Sequence, residues 1–202
     1  MKYWNKRERL FSKYNEGIWM DQEGWYSVTP EKVAKHIANR MKCDVIIDGF
    51  CGVGGNAIQF AMTCNHVIAI EKDPIRLACA KHNAEIYNVS HKIDFILGDY
   101  FEVIKTLKAD CIFLSPPWGG PKYSKSEYFD LTTMMPFDGI DLFNISRQIT
   151  PNIAYFLPRN SDYDQLGELV QDEECEIEEE YASYSFVAVT AYYGPKLLSN
   201  SS

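Results

Sequence analysis

Asp110-Cys-Ile-Phe-Leu-Ser-Pro-Pro-Trp-Gly-Gly-Pro121 is the stretch on which the reading of this chain turns. Cys111 to Leu114 is a short apolar run that reads as a buried strand. Ser115-Pro116-Pro117-Trp118 cannot continue it, because two prolines fix φ and remove two N–H donors from any ladder. The residue before each proline is pushed to an extended geometry, so the chain leaves the strand as a stiff elbow. The Ser115 side chain and nearby carbonyls then face whatever lies beyond the strand end, and Trp118 follows on a Gly-Gly-Pro loop. Acceptors for N–H groups beside an aromatic plate suit an exocyclic amine on a flat ring. A proline-rich turn with a packed tryptophan is the bland alternative, and the elbow alone does not choose between them.

Upstream of the elbow, strands and helices alternate. Residues 4–14 read as a short helix. Thr29 is placed to cap a second helix, with Pro30 at its first position and Val33, Ala34, Ile37 and Ala38 on one face. Cys43 to Asp48 is a buried strand that ends in an acid and runs into Gly49-Phe-Cys-Gly-Val-Gly-Gly-Asn56, then a helix from Ala57 to Cys64. His66 to Ile70 is a strand ending in Glu71, and Asp73-Pro74 caps a helix to about Tyr87. Lys92 to Leu97 is a strand ending in Gly98-Asp99, followed by a helix near Phe101 to Leu107.

Downstream, residues 119–139 are loop-rich, with one helical turn around Tyr128 to Met134, and 140–149 are helical. Asn152 to Leu157 is a strand ending in Pro158-Arg159-Asn160, and a helix follows from about Asp162 to Val170. Glu174 to Glu180 reads as an edge strand, and Ser185 to Tyr192 as the last strand, stopped by Gly194-Pro195. Near-continuous apolar strands alternating with helices predict a parallel sheet covered on both faces. Two final strands with no helix between them predict an antiparallel hairpin at its edge. The expected class is α/β, with seven strands, a helical extension over residues 1–29, a main domain over 30–194 and a frayed tail over 195–202.

Composition agrees with one sizeable core: 202 residues, 46% hydrophobic and 14% aromatic. No run approaches the ~18 apolar residues of a membrane span, and the basic N-terminus lacks the apolar segment of a secretory signal. Six scattered cysteines without a C-x-x-C pair point to a reduced, intracellular setting and away from zinc or any other metal. The net charge of −8 is uneven. Seven acids fall between Asp172 and Glu180, and the remainder of the chain stands at −1. Residues 1–14 carry a local +4, with Tyr3, Trp4, Phe11 and Tyr14 interleaved. That balance suits gripping a few phosphates rather than broad nucleic-acid binding; a solvated helix with docked aromatics fits it equally well.

Ligands of open α/β sheets bind beyond the carboxyl ends of the strands. Four such ends carry marked residues here: Asp48, Glu71, Asp99 and Ser115. The Gly52-Val-Gly-Gly55 loop allows close backbone approach at a helix start. Glu71, about 20 residues on, is placed to accept ribose hydroxyls. A dinucleotide would want the spaced glycines of G-x-G-x-x-G; this chain instead opens its loop with an acid, poor company for pyrophosphate and good company for an ammonium. Asp99 can accept from an adenine amine, with Tyr100 or Phe101 packed on the ring. Together these residues describe S-adenosylmethionine (SAM), which leaves S-adenosylhomocysteine after transfer.

With that cofactor in place, the chain resembles the Rossmann-like class I SAM-dependent methyltransferases. More closely it resembles the RNA cap guanine-N2 methyltransferases, the trimethylguanosine synthase family. The matching stretches are Trp25-Tyr-Ser-Val-Thr-Pro-Glu31, Asp48-Gly-Phe-Cys-Gly-Val-Gly-Gly-Asn56, Phe113-Leu-Ser-Pro-Pro-Trp-Gly-Gly-Pro121 and Tyr155-Phe-Leu-Pro-Arg-Asn160. The resemblance implies methylation of N2 of a 7-methylguanosine RNA cap, twice. It implies that Trp118 and Pro117 hold the methylated guanine, that Ser115 and the Pro116 carbonyl hold the N2 amine, and that Asp48 lies near. It implies cofactor contacts from Asp48, Phe50, Cys51, Gly52, Gly54, Asn56, Glu71, Asp99, Tyr100 and Ser115. Ser27 and Thr29 line the pocket by resemblance, and Lys2, Asn83, Tyr123 and Arg159 match positions that meet the cap phosphates. The family further implies small nuclear and nucleolar RNA as partners and a nuclear and cytoplasmic location; the domain itself is expected to be monomeric. Competing readings are a guanine-N2 or adenine-N6 methyltransferase acting on internal nucleotides, a non-catalytic cap- or RNA-binding module, and an NAD-dependent enzyme.

Overall fold

A computed structural model describes residues 4–118, 128–134 and 136–198. Its strands are β1 (Val45–Asp48), β2 (His66–Glu71), β3 (Ile93–Leu97), β4 (Cys111–Leu114), β5 (Ile153–Pro158), β6 (Cys175–Ala182) and β7 (Ser185–Tyr193). They form one sheet in the order β3-β2-β1-β4-β5-β7-β6. The β1–β2, β2–β3 and β4–β5 pairs are parallel, and β5–β7 and β6–β7 are antiparallel. The expected α/β class, mostly parallel sheet and C-terminal hairpin are therefore present. Two compact units divide the chain, Met1–Val103 and Ile104–Ser202.

The first unit carries helices α1 (Arg7–Leu10), α2 (Gly24–Ser27), α3 (Glu31–Arg40), α4 (Gly55–Thr63), α5 (Pro74–Ile86) and α6 (Tyr100–Val103). Its core strand β1 buries Ile46 and Ile47 completely, and α3 turns Val33, Ala34, Ile37 and Ala38 inward as its spacing predicts. Asp73 caps α5 as expected, accepting from the amides of Ile75 and Arg76 at 2.8 and 3.1 Å. Thr29 does not cap α3. Pro30 occupies that place with no side-chain bond, and the Thr29 hydroxyl instead accepts from Asn56 Nδ2 at 2.9 Å. The expected helix over 4–14 is broken into a 3₁₀ turn (Trp4–Lys6), α1, and a second turn (Tyr14–Glu16). The break falls at Phe11, whose extended backbone lets its ring bury to 1% exposure. Burial of one aromatic outweighs continuation of a short polar helix.

Glu31 clamps this N-terminal segment to the body of the unit. Its buried carboxylate accepts from the Ser12 amide at 2.5 Å, the Ser12 hydroxyl at 2.8 Å and the Tyr87 hydroxyl at 2.6 Å, and pairs with Lys35 at 2.6 Å. Burial alone would raise its pKa; the bonds from Lys35, Ser12 and Tyr87 outweigh burial and hold it below the ordinary value. A lowered pKa stabilises the fold above the ordinary carboxylate pKa, and that contribution is lost as pH falls through the folded value. Glu31→Gln should loosen the segment by about 2 kcal/mol, the scale of charge-assisted bonds. Limited proteolysis would read this as faster cleavage before Gly17; equal cleavage rates would show that the clamp carries no energy.

The second unit carries α7 (Gly139–Arg147) and α8 (Tyr163–Glu168), capped by Asp138 and Asp162. Strands β4 and β5 are buried throughout. Strand β6 ends the sheet order and carries most of the acidic run, and charge on an outer strand resists edge-to-edge pairing. Leu197 is buried and its amide reaches the Gly194 carbonyl at 3.1 Å, so the chain stays packed into the stretch expected to fray. No helix among the described residues is long and apolar enough to cross a membrane.

Candidate active site

In the first unit, parallel register places Asp48 and Glu71 at the same ends of β1 and β2. Asp48 is fully buried, and neither carboxylate oxygen has a hydrogen-bond partner. Burial pushes its pKa up to about 7; the amides of Phe50 and Ala57 pull it down, too loosely placed to count as bonds, and the Glu71 charge pushes it further up. An orphaned buried carboxylate is costly, and it fits a cationic ligand group that the protein alone does not provide.

The loop after Asp48 is shaped by its glycines. Gly52 and Gly54 have φ of +53° and +92°. A Cβ on Gly54 would come within 3.1 Å of Ala80 Cα, whereas a Cβ on Gly52 would meet nothing within 4 Å. Gly54→Ala should therefore cost about 2 kcal/mol and Gly52→Ala about 1, since only the first adds crowding to a left-handed backbone. Thermal melts would order them; a Gly52→Ala loss as large as that of Gly54→Ala would discount the Ala80 contact. Open space before Gly52 leaves room for a ligand to lie close to the backbone.

Glu71 is fixed by two amides, those of Gly52 at 3.0 Å and Asp73 at 2.9 Å, one on each oxygen. Each oxygen keeps a lone pair for a hydroxyl. Phe50 stacks on Tyr100 with ring centroids 5.1 Å apart and planes 27° apart. Tyr100 is 3% exposed and Phe50 half-buried, so Phe50 presents the face and Tyr100 supports it. Asp99 is exposed and uses one oxygen on the Phe101 amide at 2.9 Å. Cys51 is buried, and burial with the nearby Asp48 and Glu71 charges pushes its thiol well up, which removes it as a nucleophile. Asn56 turns its amide nitrogen to Thr29 and leaves Oδ1 buried without a partner. An orphan acid for an ammonium, a fixed acid for hydroxyls, a supported aromatic face and room before Gly52 fit SAM.

Three substrate-side expectations find other settings in this unit. Asn83 is fully buried; both its N–H groups are used, on the carbonyls of Trp19 and Val53 at 2.9 Å, and its oxygen accepts from the Trp19 amide at 2.8 Å. That leaves it no donor for a phosphate. Thr29 is 4% exposed and engaged with Asn56. Ser27 is exposed, its hydroxyl bonded to the Glu23 carbonyl at 2.9 Å.

In the second unit β4 ends at Leu114, and Ser115-Pro116-Pro117-Trp118 follows it outside any strand or helix. Pro116 is buried; Ser115, Pro117 and Trp118 are half-buried. The Trp118 ring rests on Phe156 of β5 at 5.8 Å with a 33° tilt, and Phe156 in turn meets Phe113 of β4 at 6.1 Å. Trp118 is thus a backed plate with area still exposed. Phe156 escaped sequence reasoning, because its role depends on the β4–β5 register, Leu114 opposite Tyr155. Arg159, just past β5, is exposed and has no ion pair among the described residues. Lys2 and Tyr123 lie outside the described residues, as does Gly119-Gly120-Pro121.

A family model described as RNA cap guanine-N2 methyltransferase matches residues 43–196. The trimethylguanosine synthase of Schizosaccharomyces pombe is 47% identical over 176 residues, which cover 82% of this chain and 73% of that protein. The trimethylguanosine synthase of Saccharomyces cerevisiae is 40% identical over 178 residues, covering 82% of this chain and 56% of that protein. Among solved structures, a putative methyltransferase from Porphyromonas gingivalis aligns with a TM-score of 0.75 at 16% identity, over 96% of this chain and 48% of that one. A possible methylase from Clostridium difficile gives 0.60 at 18% identity, over 85% of this chain and 54% of that one. These two likenesses show the fold; the sequence matches show more, and the stretch matched by the family model spans the glycine loop and the Ser-Pro-Pro-Trp elbow. The chain belongs to the family of SAM-dependent RNA cap guanine-N2 methyltransferases.

Proposed function

We propose that this chain transfers methyl groups to the exocyclic N2 of a 7-methylguanosine RNA cap, giving 2,7-dimethylguanosine and then 2,2,7-trimethylguanosine. The observation that carries the reading is Trp118, a half-buried indole backed by Phe156 at the end of the double-proline elbow. Methylation at N7 leaves guanine cationic, and an indole face attracts such a ring by about 0.5–2 kcal/mol beyond apolar contact. The reading extends, on family resemblance alone, to small nuclear and nucleolar RNA as capped substrates and to a nuclear and cytoplasmic setting, and with them goes a monomeric domain.

SAM supplies an electrophilic methyl group on a sulfonium. Asp48 would hold its ammonium, Glu71 its ribose hydroxyls, and Phe50 with Asp99 its adenine. The Ser115 hydroxyl and the Pro116 carbonyl accept the N–H groups of N2. Accepting them draws the lone pair out of the ring and onto nitrogen, which makes N2 the better nucleophile. N2 would gain the methyl carbon as that carbon's bond to sulfur breaks, leaving S-adenosylhomocysteine, and the proton lost from N2 would pass to water. Asp48, paired with an ammonium, is a weak base, so its part is to position. Arg159, exposed and with no ion pair among the described residues, is available to the cap phosphates.

Methyl transfer from labelled SAM to a 7-methylguanosine nucleotide, with unmethylated GTP beside it, tests the proposal. Transfer to the first alone, in two successive steps, supports it. Transfer to internal guanine or adenine of structured RNA, with none to the nucleotide, would replace it with the internal-nucleotide reading.

A further inference from the structure

We infer that Trp19, backed by His82, is a stacking platform for a base of the RNA chain that follows the cap; the inference rests on the cap-methyltransferase reading above. Trp19 is 53% exposed, unusual for a residue of its size. It is not loosely attached. Its amide and carbonyl are both gripped by the Asn83 carboxamide, at 2.8 and 2.9 Å. One face of the indole lies on the His82 ring, centroids 3.9 Å apart and planes within 15°. His82 is itself oriented by a 2.9 Å bond from Nε2 to the Gly17 carbonyl. The result is a rigid aromatic plate with one face covered and the ring still half open.

Two further features tie this plate to RNA. Asn83 also donates to the Val53 carbonyl at 2.9 Å, so the residue that sets the plate also grips the glycine loop. The same segment exposes Trp4 and Tyr26, and its Lys6 and Arg9 have no carboxylate partner among the described residues. Exposed rings interleaved with free cations are the means by which proteins hold single strands without reading their sequence. The acids that follow Trp19 do not oppose this, since Asp21 and Glu23 are both engaged by Arg76. Stacking accepts any base, so the platform would add affinity for capped RNA over a bare cap nucleotide without choosing among RNAs.

The test compares a 7-methylguanosine nucleotide, which has no following base, with a short capped oligoribonucleotide. Trp19→Leu keeps an apolar cover on His82 and removes the π-face; a melting curve checks that it folds. Its KM should rise about tenfold on the capped oligoribonucleotide and hold the wild-type value on the nucleotide, with Trp19→Phe close to wild type on both. An unchanged KM on both substrates, or an equal rise on both, would overturn the platform. If the wild-type protein methylates neither, the cap reading fails instead. Fluorescence anisotropy of an uncapped single-stranded oligoribonucleotide then decides: the platform stands if Trp19→Leu binds about tenfold more weakly and falls if binding is equal.

Discussion

Asp48→Asn is expected to abolish methyl transfer while making the unliganded protein more stable. Both effects come from the same buried, unpartnered carboxylate. Its pKa is raised from 3.8 to about 7 in the fold, so the folded state holds a proton that the unfolded state has already lost. Stability from this group is therefore present at low pH and declines as pH rises from the unfolded to the folded value. By linkage the loss above neutrality is at most ~4 kcal/mol. Asn removes the charge but leaves a buried amide to satisfy, so roughly half of that should survive as a gain at pH 8. At pH 5, where Asp48 is largely protonated when folded, the gain should shrink.

The cofactor side reverses the sign. Losing one member of a buried ion pair costs about 3–5 kcal/mol, which predicts SAM affinity at least a hundredfold weaker by calorimetry. Wild-type affinity should strengthen nearly tenfold per pH unit on approach to 7 from below, as Asp48 gives up its proton to meet the ammonium. Asp48→Asn should show no such slope. Parallel stability profiles for the two proteins would mean that the carboxylate finds a partner in the unliganded chain, and the cofactor argument would lose its main support.

Trp118→Ala is the second large effect. Stacking on an aromatic plate is worth about 1–3 kcal/mol per base, and the positive charge of 7-methylguanine adds a cation–π share. Together these predict kcat/KM on the cap nucleotide lower by roughly thirtyfold or more. Trp118→Phe keeps a ring on Phe156 and should lose only several-fold. Selectivity gives a second readout: truncation should shrink the preference for 7-methylguanosine over guanosine. Phe as damaging as Ala would show that the indole does something other than stack. Phe156→Leu tests the support in turn, because it keeps apolar volume while removing the ring at 5.8 Å. A partial Trp118 phenotype is expected from it with little change in melting temperature.

Much of the site is legible in the sequence because its chemistry is local. The glycine loop, the acid before it and the double-proline elbow each work through backbone angles and side chains within a few residues. Such signals survive whatever the rest of the chain does. Apolar runs of four to six residues between helical stretches likewise place the strands close to where they lie. Even the terminal hairpin follows from two strands with nothing long enough between them to cross over.

Other features depend on partners far away in sequence. Phe156 backs Trp118 only because β5 pairs in parallel with β4 in one register, which no local pattern encodes. Thr29 has the residue type and place of a helix cap, yet its hydroxyl goes to Asn56, 27 positions on. Asn83 resembles a phosphate contact by position, and tertiary packing spends both its N–H groups on the carbonyls of Trp19 and Val53. The Phe11 break and the Glu31 clamp are likewise choices between a short local helix and burial against the body of the first unit. The sequence by itself determined the α/β alternation, the loop geometry and the kind of chemistry at the strand ends, because backbone sterics and short-range charge decide those. Only the tertiary structure decided which polar groups are already satisfied and which, like the carboxylate of Asp48, are left waiting for a ligand, because hydrogen-bond satisfaction is settled by whatever the fold brings within about 3 Å.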